Sequence, residues 1–294
     1  MRGKTVVITG ATSGIGLEAA VSLATQGART VLVGRNPAKT AAAVETIRKR
    51  SGSTAVESTL CDFSSQASVR KLAADLRGRC ERIHVLVNNA GGVSPQRTLT
   101  ADGIETTFGV NHLGYFLLTN LLLDVVRASA PARIVNVASV AHYRGTMDFD
   151  DLGFERGYQI MKAYARSKLA NVLFTRELAK RLAGTGVTVN ALHPGTVATN
   201  IWSAAPGWVR PILAVAKLFM VSPRAGGQRI VYLASSPEVA GTTGSYFENN
   251  RVKAPSARAL DDALAARLWS ESARMVGLAD SGKRPAADGL SSRV

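Results

Sequence analysis

A glycine-rich turn directly after the first apolar run constrains the fold of this chain more than any other feature. The run Thr5–Thr9 is entirely β-branched, and the three glycines of the turn are followed by a helical pattern over 15–26. A strand, a tight glycine turn and a helix begin a βαβ unit, where a pyrophosphate can lie against the backbone at the helix N-terminus. The turn therefore predicts a dinucleotide site. The residues assigned to it are Gly10, Ser13, Gly14, Ile15 and Gly16.

The chain goes on alternating short β-branched runs with helical patterns, which is typical of a parallel sheet covered by helices. Strands are predicted at Thr5–Thr9, Thr30–Gly34, Ala55–Leu60, Ile83–Val87, Arg133–Ala138, Thr188–Leu192 and Ser245–Phe247. Helices are predicted over 15–26, 37–50, 66–79, 104–128, 158–183, 223–235 and 259–275. We expect an α/β fold with a doubly wound, parallel, seven-stranded sheet of the Rossmann type. One domain should span 1–279, and the Ser-, Gly-, Pro- and Ala-rich tail 280–294 should be loose.

Composition narrows the possible settings and partners. Hydrophobic residues make up 46% of the chain and charged residues 19%, as in ordinary globular proteins. Cys61 and Cys80 have no metal-ligand spacing, so neither a disulfide framework nor a metal site is expected. The sequence shows no signal peptide and no apolar stretch of the ~20 residues that a membrane span needs. We expect a reduced, cytoplasmic setting.

The net charge of +15 allows several anionic partners, namely nucleic acid, a membrane surface or a phosphorylated small molecule. The basic residues are dispersed, with one tight cluster at 48–50, and no nucleic-acid-binding motif is visible. We therefore expect no nucleic acid partner.

The end of the second predicted strand indicates which dinucleotide is used. An NAD site usually carries an Asp or Glu there, which binds the ribose 2′-hydroxyl. This chain has Arg35 instead, with Lys39 one turn further on. A guanidinium matches a 2′-phosphate, so NADP(H) is favoured over NAD(H), although Arg35 could also be an exposed loop residue.

The next two strands also end in residues that can line the cofactor cleft. Asp62 could accept a hydrogen bond from the adenine amine, shielded by Phe63, or could cap the next helix. The fourth strand ends in a pair of asparagines that can tie neighbouring strands together or form a turn, followed by small residues that leave room for the ribose. The residues assigned to the cofactor here are Asp62, Phe63, Asn88, Ala90 and Gly91.

Tyr164 and Lys168 are four residues apart, so on a helix they lie on the same face. A lysine ammonium beside a tyrosine favours the phenolate and would lower its pKa from about 10, giving an acid/base catalyst. Such a pair also occurs by chance on solvated helices. Ser139 ends the fifth strand at the binding edge. Asn111 lies inside a helical run, where it indicates either a local kink or an anchor for a proton-carrying water.

The sixth strand ends in a loop that can wrap the nicotinamide, with a Pro and a Gly fixing its turn. The residues assigned to it are Pro194, Gly195, Val197 and Thr199. The following stretch, about 200–222, is apolar on most of its circumference and is interrupted chiefly by Arg210 and Lys217. By this pattern alone, the stretch could be a helix that is buried in the core or in a subunit interface.

Together these motifs resemble the short-chain dehydrogenase/reductase family over about 4–278, and the phrases around Asn111, Lys168 and Pro194 resemble its retinol-dehydrogenase-like branch. The resemblance implies a tetrad in which Tyr164 is the general acid or base and Lys168 lowers its pKa and holds the nicotinamide ribose. It also implies that Ser139 binds the substrate oxygen and Asn111 positions a relay water.

The same resemblance makes 200–222 a mobile lid over a lipophilic substrate, with contact to a membrane as a further expectation. It also implies that helices 104–128 and 158–183 could pair in a homodimer. The function expected is an NADP(H)-dependent alcohol dehydrogenase or carbonyl reductase. The alternative is a catalytically idle dinucleotide-binding sensor or scaffold.

Overall fold

The sheet has eight strands in the order β3-β2-β1-β4-β5-β6-β7-β8 in a computed structural model that describes residues 1–195 and 221–279. The first seven strands are parallel, and the order reverses between β1 and β4, as in a doubly wound fold. The strands are β1 Thr5–Thr9, β2 Arg29–Gly34, β3 Val56–Leu60, β4 Val85–Asn88, β5 Ala132–Val137, β6 Val187–His193, β7 Tyr246–Glu248 and β8 Arg251–Lys253.

The prediction of seven strands was wrong by one, because a hairpin adds an antiparallel eighth strand. Asn249 and Asn250 join β7 to β8 with φ angles of 50° and 62°. Positive φ at both turn residues matches the right-handed twist of a two-residue hairpin, and asparagine tolerates this conformation better than most residues. Arg251 and Lys253 then place exposed charges on the open edge of the sheet, which discourages pairing with another strand.

Helices cover both faces of the sheet, as predicted. The helices are α1 Gly14–Thr25, α2 Pro37–Ser51, α3 Gln66–Arg79, α4 Gly114–Ala128, α5 Ile160–Arg181, α6 Pro223–Ser235 and α7 Asp262–Met275. One buried cluster joins α1, α2 and α6 to one face, and a second joins α3, α4, α5 and α7 to the other. The central strands β1, β4 and β5 are largely apolar because helices keep water from both of their faces.

The predicted helix 104–128 is interrupted near its start. A short helical turn at Thr106–Phe108 leads into a π-helical turn at Gly109–Leu113, and α4 follows directly. By length and composition the run Thr106–Ala128 could cross a membrane, contrary to the expectation that no stretch is long enough. Its most apolar window is 67% buried in the protein, so core packing accounts for its apolar character.

The last described helix packs across both α4 and α5. Trp269 of α7 lies 4.9 Å from the Phe116 ring of α4 and 5.9 Å from the Phe174 ring of α5, measured between ring centroids. Asp262 forms ion pairs with Arg176 at 3.0 Å and Lys180 at 2.6 Å, both on α5. The sequence analysis expects α4 and α5 to pair with a second copy of the chain. Because α7 packs on both helices, it covers part of the surface that this pairing could use. The predicted lid, except for 221 and 222, and the tail from 280 lie outside the described residues.

Candidate active site

The glycine turn after β1 is packed tightly against the end of β4. Gly10 has a φ of 65°, and a Cβ there would lie 2.7 Å from the Cα of Ala90. A Cβ on Gly16 would lie 2.6 Å from the Asn89 side-chain nitrogen and 2.6 Å from the Gly10 carbonyl. Only glycine fits at these two positions without a shift of backbone. The turn is thereby fixed in a tight form that leaves its backbone open to a ligand.

The N-terminus of α1 faces the same turn. Ser13 precedes the helix, and among the described residues its hydroxyl makes no capping hydrogen bond. The first helical turn contains no acidic residue and includes Ile15, which packs against the buried cluster of this face. Unpaired backbone N–H groups at the start of a twelve-residue helix attract an anion. This geometry fits a pyrophosphate.

Arg35 lies immediately beyond β2 and is exposed. The next residue, Asn36, caps α2 by accepting a hydrogen bond from the Lys39 backbone N–H at 3.0 Å. The pKa of Asp62 is raised by burial and lowered by the backbone and side-chain hydrogen bonds of Ser64, and the Arg35 charge helps to bring it below its ordinary value. An exposed cation therefore lies at the end of β2, where the sequence analysis expects a 2′-phosphate.

Asp62 does not cap the following helix, so one of its two predicted roles is excluded. Its Oδ1 accepts hydrogen bonds from the backbone N–H of Ser64 at 2.9 Å and from the Ser64 hydroxyl at 2.7 Å. Ser65 caps α3 instead. Phe63 is 8% exposed and packs on Gly114 at the start of α4, where a Cβ would lie 2.6 Å from its ring.

The paired asparagines at the end of β4 tie strands together, as predicted. The Asn88 side chain is fully buried and donates to Asn136 Oδ1 on β5 at 2.8 Å and to Thr119 on α4 at 2.9 Å. Asn89 donates from its side chain to the carbonyls of Thr9 at 2.8 Å and Gly10 at 3.1 Å. Both N–H groups of the Asn88 side chain are committed inside the core, and the assignment of Asn88 to the cofactor stays a prediction.

Gly91 and Asn111 meet where β4 opens towards the predicted site. The Asn111 side chain accepts from the Gly92 N–H and donates to the Gly92 carbonyl, both at 2.9 Å, and also donates to the Ser167 hydroxyl at 3.1 Å. Its backbone lies in the π-helical turn, a feature often found at functional sites. The mid-helix asparagine therefore fixes the loop after β4 to the catalytic helix α5.

Lys168 projects into the protein rather than into solvent. Its side chain is 5% exposed, and Nζ donates to the Val137 carbonyl at 2.9 Å. Asn171, one turn further along α5, donates to the Asn111 carbonyl at 3.0 Å and to the Val137 carbonyl at 3.5 Å. Burial lowers the pKa of Lys168 to about 8. The Asn111 carbonyl oxygen has a second lone pair, which can accept a hydrogen bond from a water molecule. The relay water assigned to Asn111 stays a prediction.

Tyr164 and Ser139 interact directly, as their predicted roles require. A hydrogen bond from Ser139 acts to lower the pKa of Tyr164, but burial raises that pKa above its ordinary value by more. Lys168 Nζ lies 5.6 Å from the centre of the Tyr164 ring. Burial therefore dominates this pKa in the protein alone, and the role of Lys168 in lowering it stays a prediction.

The loop after β6 begins beside these residues. Gly195 has a φ of 96°, and a Cβ there would lie 2.7 Å from Arg229 Nη1 on α6 and 2.7 Å from Val221 Cγ2. Gly195 therefore has a backbone conformation that favours glycine, and the turn predicted around Pro194 and Gly195 stays a prediction because the loop continues outside the described residues. Val197 and Thr199, also assigned to the cofactor, lie outside the described residues.

Several polar residues of this region were missed by the sequence analysis. A buried hydrogen-bonded series runs from Asn136 through Thr175 to Asn171, with distances of 2.9 Å and 2.8 Å. The Thr9 hydroxyl accepts from the N–H groups of Asn89 at 2.8 Å and Ala90 at 2.9 Å. A sequence signal existed for Asn136, which is a polar residue inside the largely apolar strand β5.

The arrangement fits a dinucleotide with a reactive ring at the Tyr164 end of the cleft. The glycine turn and the open helix N-terminus lie at the carboxyl ends of β1 and β4, at the position where the strand order reverses. Ser139, Tyr164 and Lys168 come together beyond β5, further along the same edge of the sheet. All four predicted tetrad residues therefore belong to one connected site.

Comparisons with known proteins agree with this arrangement. Residues 4–209 match the family described as short chain dehydrogenase. Retinol dehydrogenase 13 of Homo sapiens is 45% identical over 282 residues, covering 94% of this chain and 85% of that protein. The crystal structure of an uncharacterized protein from Mycobacterium paratuberculosis has 34% identity and a TM-score of 0.77, covering 94% of each chain.

The Pseudomonas aeruginosa RhlG/NADP active-site complex has 25% identity and a TM-score of 0.68, and the match covers 90% of this chain and 97% of that one. The chain therefore belongs to the short-chain dehydrogenase family, whose members are oxidoreductases that bind a nicotinamide dinucleotide.

Proposed function

We propose that this protein is an NADP(H)-dependent oxidoreductase that interconverts an alcohol and an aldehyde or ketone on a lipophilic, retinoid-, terpenoid- or steroid-like substrate. The observation that carries the proposal is the contact of Ser139 with Tyr164 beside the buried Lys168. These groups can hold a carbonyl oxygen and deliver a proton to it. The similarity to retinol dehydrogenase 13 supports the substrate class.

The protein's part in the reaction is to handle the proton and the charge on oxygen. When bound, the nicotinamide ring would supply or accept the hydride at the carbon atom. In reduction, the Ser139 hydroxyl donates a hydrogen bond to the carbonyl oxygen, on which negative charge develops. Tyr164 transfers its proton to that oxygen, and Lys168 stabilises the phenolate that remains. In oxidation the same phenolate accepts the alcohol proton.

The choice of NADP(H) rests on Arg35. It is exposed at the end of β2, and the neighbouring helix cap is made by an uncharged asparagine. No carboxylate at this turn would repel a 2′-phosphate, and the related RhlG structure is a complex with NADP. The basic net charge would also favour an anionic cofactor.

The lipophilic substrate is supported by sequence and by relatives. The apolar run within 200–222 follows the nicotinamide loop, where a lid would cover the substrate and could rest on a membrane surface. We place the protein in the cytoplasm, with a homodimer as a further proposal.

A chain-length series tests the proposal. Initial rates with NADPH and with NADH would be measured on straight-chain aldehydes from about four to ten carbons and on all-trans-retinal. Each added methylene that becomes buried contributes up to ~0.8 kcal/mol, so kcat/KM should rise along the series before it levels off. A flat or falling series would overturn the lipophilic site. Tight cofactor binding without turnover on any member would favour the idle sensor instead.

A further inference from the structure

Ser139 is the first residue after the backbone hydrogen bonds that join this segment to the sheet. The last ladder contact of this segment is the hydrogen bond from the Ala138 N–H to the Leu192 carbonyl at 2.8 Å. Ser139 follows in an extended conformation and begins a short 3₁₀ helix over Val140–Arg144. Its hydroxyl must nevertheless stay aligned with Tyr164, so some other group has to fix the serine backbone.

His142 provides that contact from within the 3₁₀ helix. Its Nδ1 lies 2.8 Å from the Ser139 carbonyl oxygen, and its backbone N–H donates to the same oxygen at 3.1 Å. On the other side of the ring, Nε2 accepts from the Ser256 N–H at 3.2 Å. The side chain is fully buried. The imidazole thus joins the serine backbone to a segment more than a hundred residues away.

The two partners define the protonation state of the ring. A carbonyl oxygen only accepts, so Nδ1 must carry the hydrogen, whereas a backbone N–H only donates, so Nε2 must be bare. Burial lowers the pKa of His142, which keeps this neutral tautomer in place. A second proton on Nε2 would point at the Ser256 N–H and break the connection.

Two neighbouring aromatic rings restrict the movement of the His142 side chain. The Tyr143 ring centroid is 4.1 Å away and the Tyr246 ring centroid 4.5 Å away. The Tyr143 hydroxyl lies 3.1 Å from a Glu248 carboxylate oxygen and 2.9 Å from the Ala254 carbonyl oxygen, and it can donate its single hydrogen to either, so that ring is itself fixed to the β7–β8 region. The histidine therefore sits in a rigid setting that extends to the carboxyl edge of the sheet.

We propose that His142 is a positioning residue for the reaction, which holds the Ser139 backbone so that the serine hydroxyl stays in register with Tyr164. The inference rests on the proposed function, because its consequence is measured as turnover. His142 touches neither the substrate nor the reacting atoms. Its effect passes entirely through Ser139, and this distinguishes it from a residue that merely stabilises the fold.

Isosteric substitutions separate the two ring contacts. His142→Asn can place an N–H at the δ position, whereas His142→Gln places its amide at the ε position and cannot reach the Ser139 carbonyl in the same way. His142→Ala should lower kcat by about tenfold to a hundredfold, the range of one lost buried hydrogen bond. Asn should restore most of that loss and Gln little of it, with cofactor Kd unchanged. Equal rescue by both variants would overturn the proposal.

A double-mutant cycle provides the readout that a structural role would not give. If His142 acts through the serine hydroxyl, His142→Ala should cause no further loss in a Ser139→Ala background. The same multiplicative loss in both backgrounds would mean that His142 acts elsewhere. His84→Ala is the matched control, since it removes a buried histidine contact to the Thr5 backbone, 3.0 Å long, at the opposite edge of the sheet. It should lower stability and leave kcat unchanged.

A measurement without turnover keeps this proposal separate from the proposed function. ¹⁵N NMR of the histidine side chains in the full-length protein should show His142 as the neutral Nδ1–H tautomer, and Tyr164→Phe should not alter it. If the wild-type protein turned over no alcohol or carbonyl, the proposed function would fail. If His142 proved to be the Nε2–H tautomer, the positioning role would fail even in an active enzyme.

Discussion

The Lys168 ammonium lies 5.6 Å from the centre of the Tyr164 ring, yet it donates its hydrogen bond to the Val137 carbonyl at 2.9 Å. The two side chains share a helix face, as their spacing requires, but the hydrogen bond of the lysine goes to the last residue of β5 and not to the tyrosine. Its charge is therefore fixed near the tyrosine without a direct contact. This arrangement lets the lysine stabilise a phenolate when one forms.

Removing the Tyr164 hydroxyl should abolish most of the chemistry. Tyr164→Phe takes away the proton donor, and general acid–base catalysis contributes roughly 10²–10⁴-fold, so kcat should fall by at least that factor. Cofactor Kd should change little. Tyr232→Phe is the control, because its hydroxyl contacts only Glu238 on the α6 side among the described residues. Near-normal turnover in the Tyr164 variant would remove this residue from the mechanism.

Removing the Lys168 charge should separate activity from stability. The buried lysine has a pKa of about 8, below its unfolded value, so the unfolded chain holds the proton more tightly up to about pH 10. Lys168→Met should therefore be inactive but more stable at pH 7, by up to about 3 kcal/mol. The difference should shrink as pH rises from about 8 to above 10. Urea unfolding across that range measures it, and a less stable variant at every pH contradicts the prediction.

Arg35 should distinguish the two nicotinamide cofactors. Arg35→Ala should weaken NADPH binding by roughly 1–3 kcal/mol, the scale of a lost charge-assisted hydrogen bond, and leave NADH binding nearly unchanged. Isothermal titration with both cofactors gives the two values of Kd. Arg127→Ala, which removes an exposed arginine near the C-terminus of α4, controls for net charge. An equal loss for both cofactors would mean that Arg35 supports the loop and does not contact the phosphate.

Arg166 should hold the loop that joins Ser139 to Tyr164. Its buried guanidinium lies 3.7 Å from the centre of the Phe154 ring and donates to the carbonyls of Thr146 at 3.1 Å, Leu152 at 3.1 Å and Asp151. Arg166→Met leaves these carbonyls unpaired, so the loop should open more often.

Limited trypsin digestion should report this opening as faster cleavage after the exposed Arg156 in the loop. Arg176→Met removes an arginine from the same helix without touching the loop and is the control. Wild-type cleavage rates in the Arg166 variant would contradict the prediction.

Acid should destabilise the fold through the buried His112 and the partly buried His193. Burial lowers the pKa of His112 to about 3 and that of His193 to about 4. Between these values and about 6.5 the unfolded chain binds more protons, so the free energy of unfolding should fall as pH drops, by up to ~1.4 kcal/mol per pH unit for each histidine. Denaturant midpoints at pH 7, 6 and 5 measure the slope. Equal midpoints at all three would show that neither histidine is held neutral.

Most of the fold could be predicted because most of the parallel strands are apolar and the glycine turn stands between a strand and a helix. The hairpin at Asn249 and Asn250 was missed, since its turn residues are asparagines without the usual glycine. The core contacts of the Asn88 side chain could not be predicted in detail, because a polar residue at the end of a strand can face the cleft or the core, and only packing decides. His142 gave no signal in the sequence, since its role depends on Ser256, which lies 114 residues further along the chain.

The seating of α7 has a consequence for biosynthesis. His112 contacts Ser272 across 160 residues, and Arg70 donates to the Val276 carbonyl across 206. While a ribosome is still adding the last helix, the aromatic side chains of α4 and α5, Phe116 and Phe174 among them, have no Trp269 to cover them. The nascent protein should therefore need a chaperone to bind these exposed side chains until synthesis has passed residue 276. A premature stop codon before α7 should yield an insoluble product.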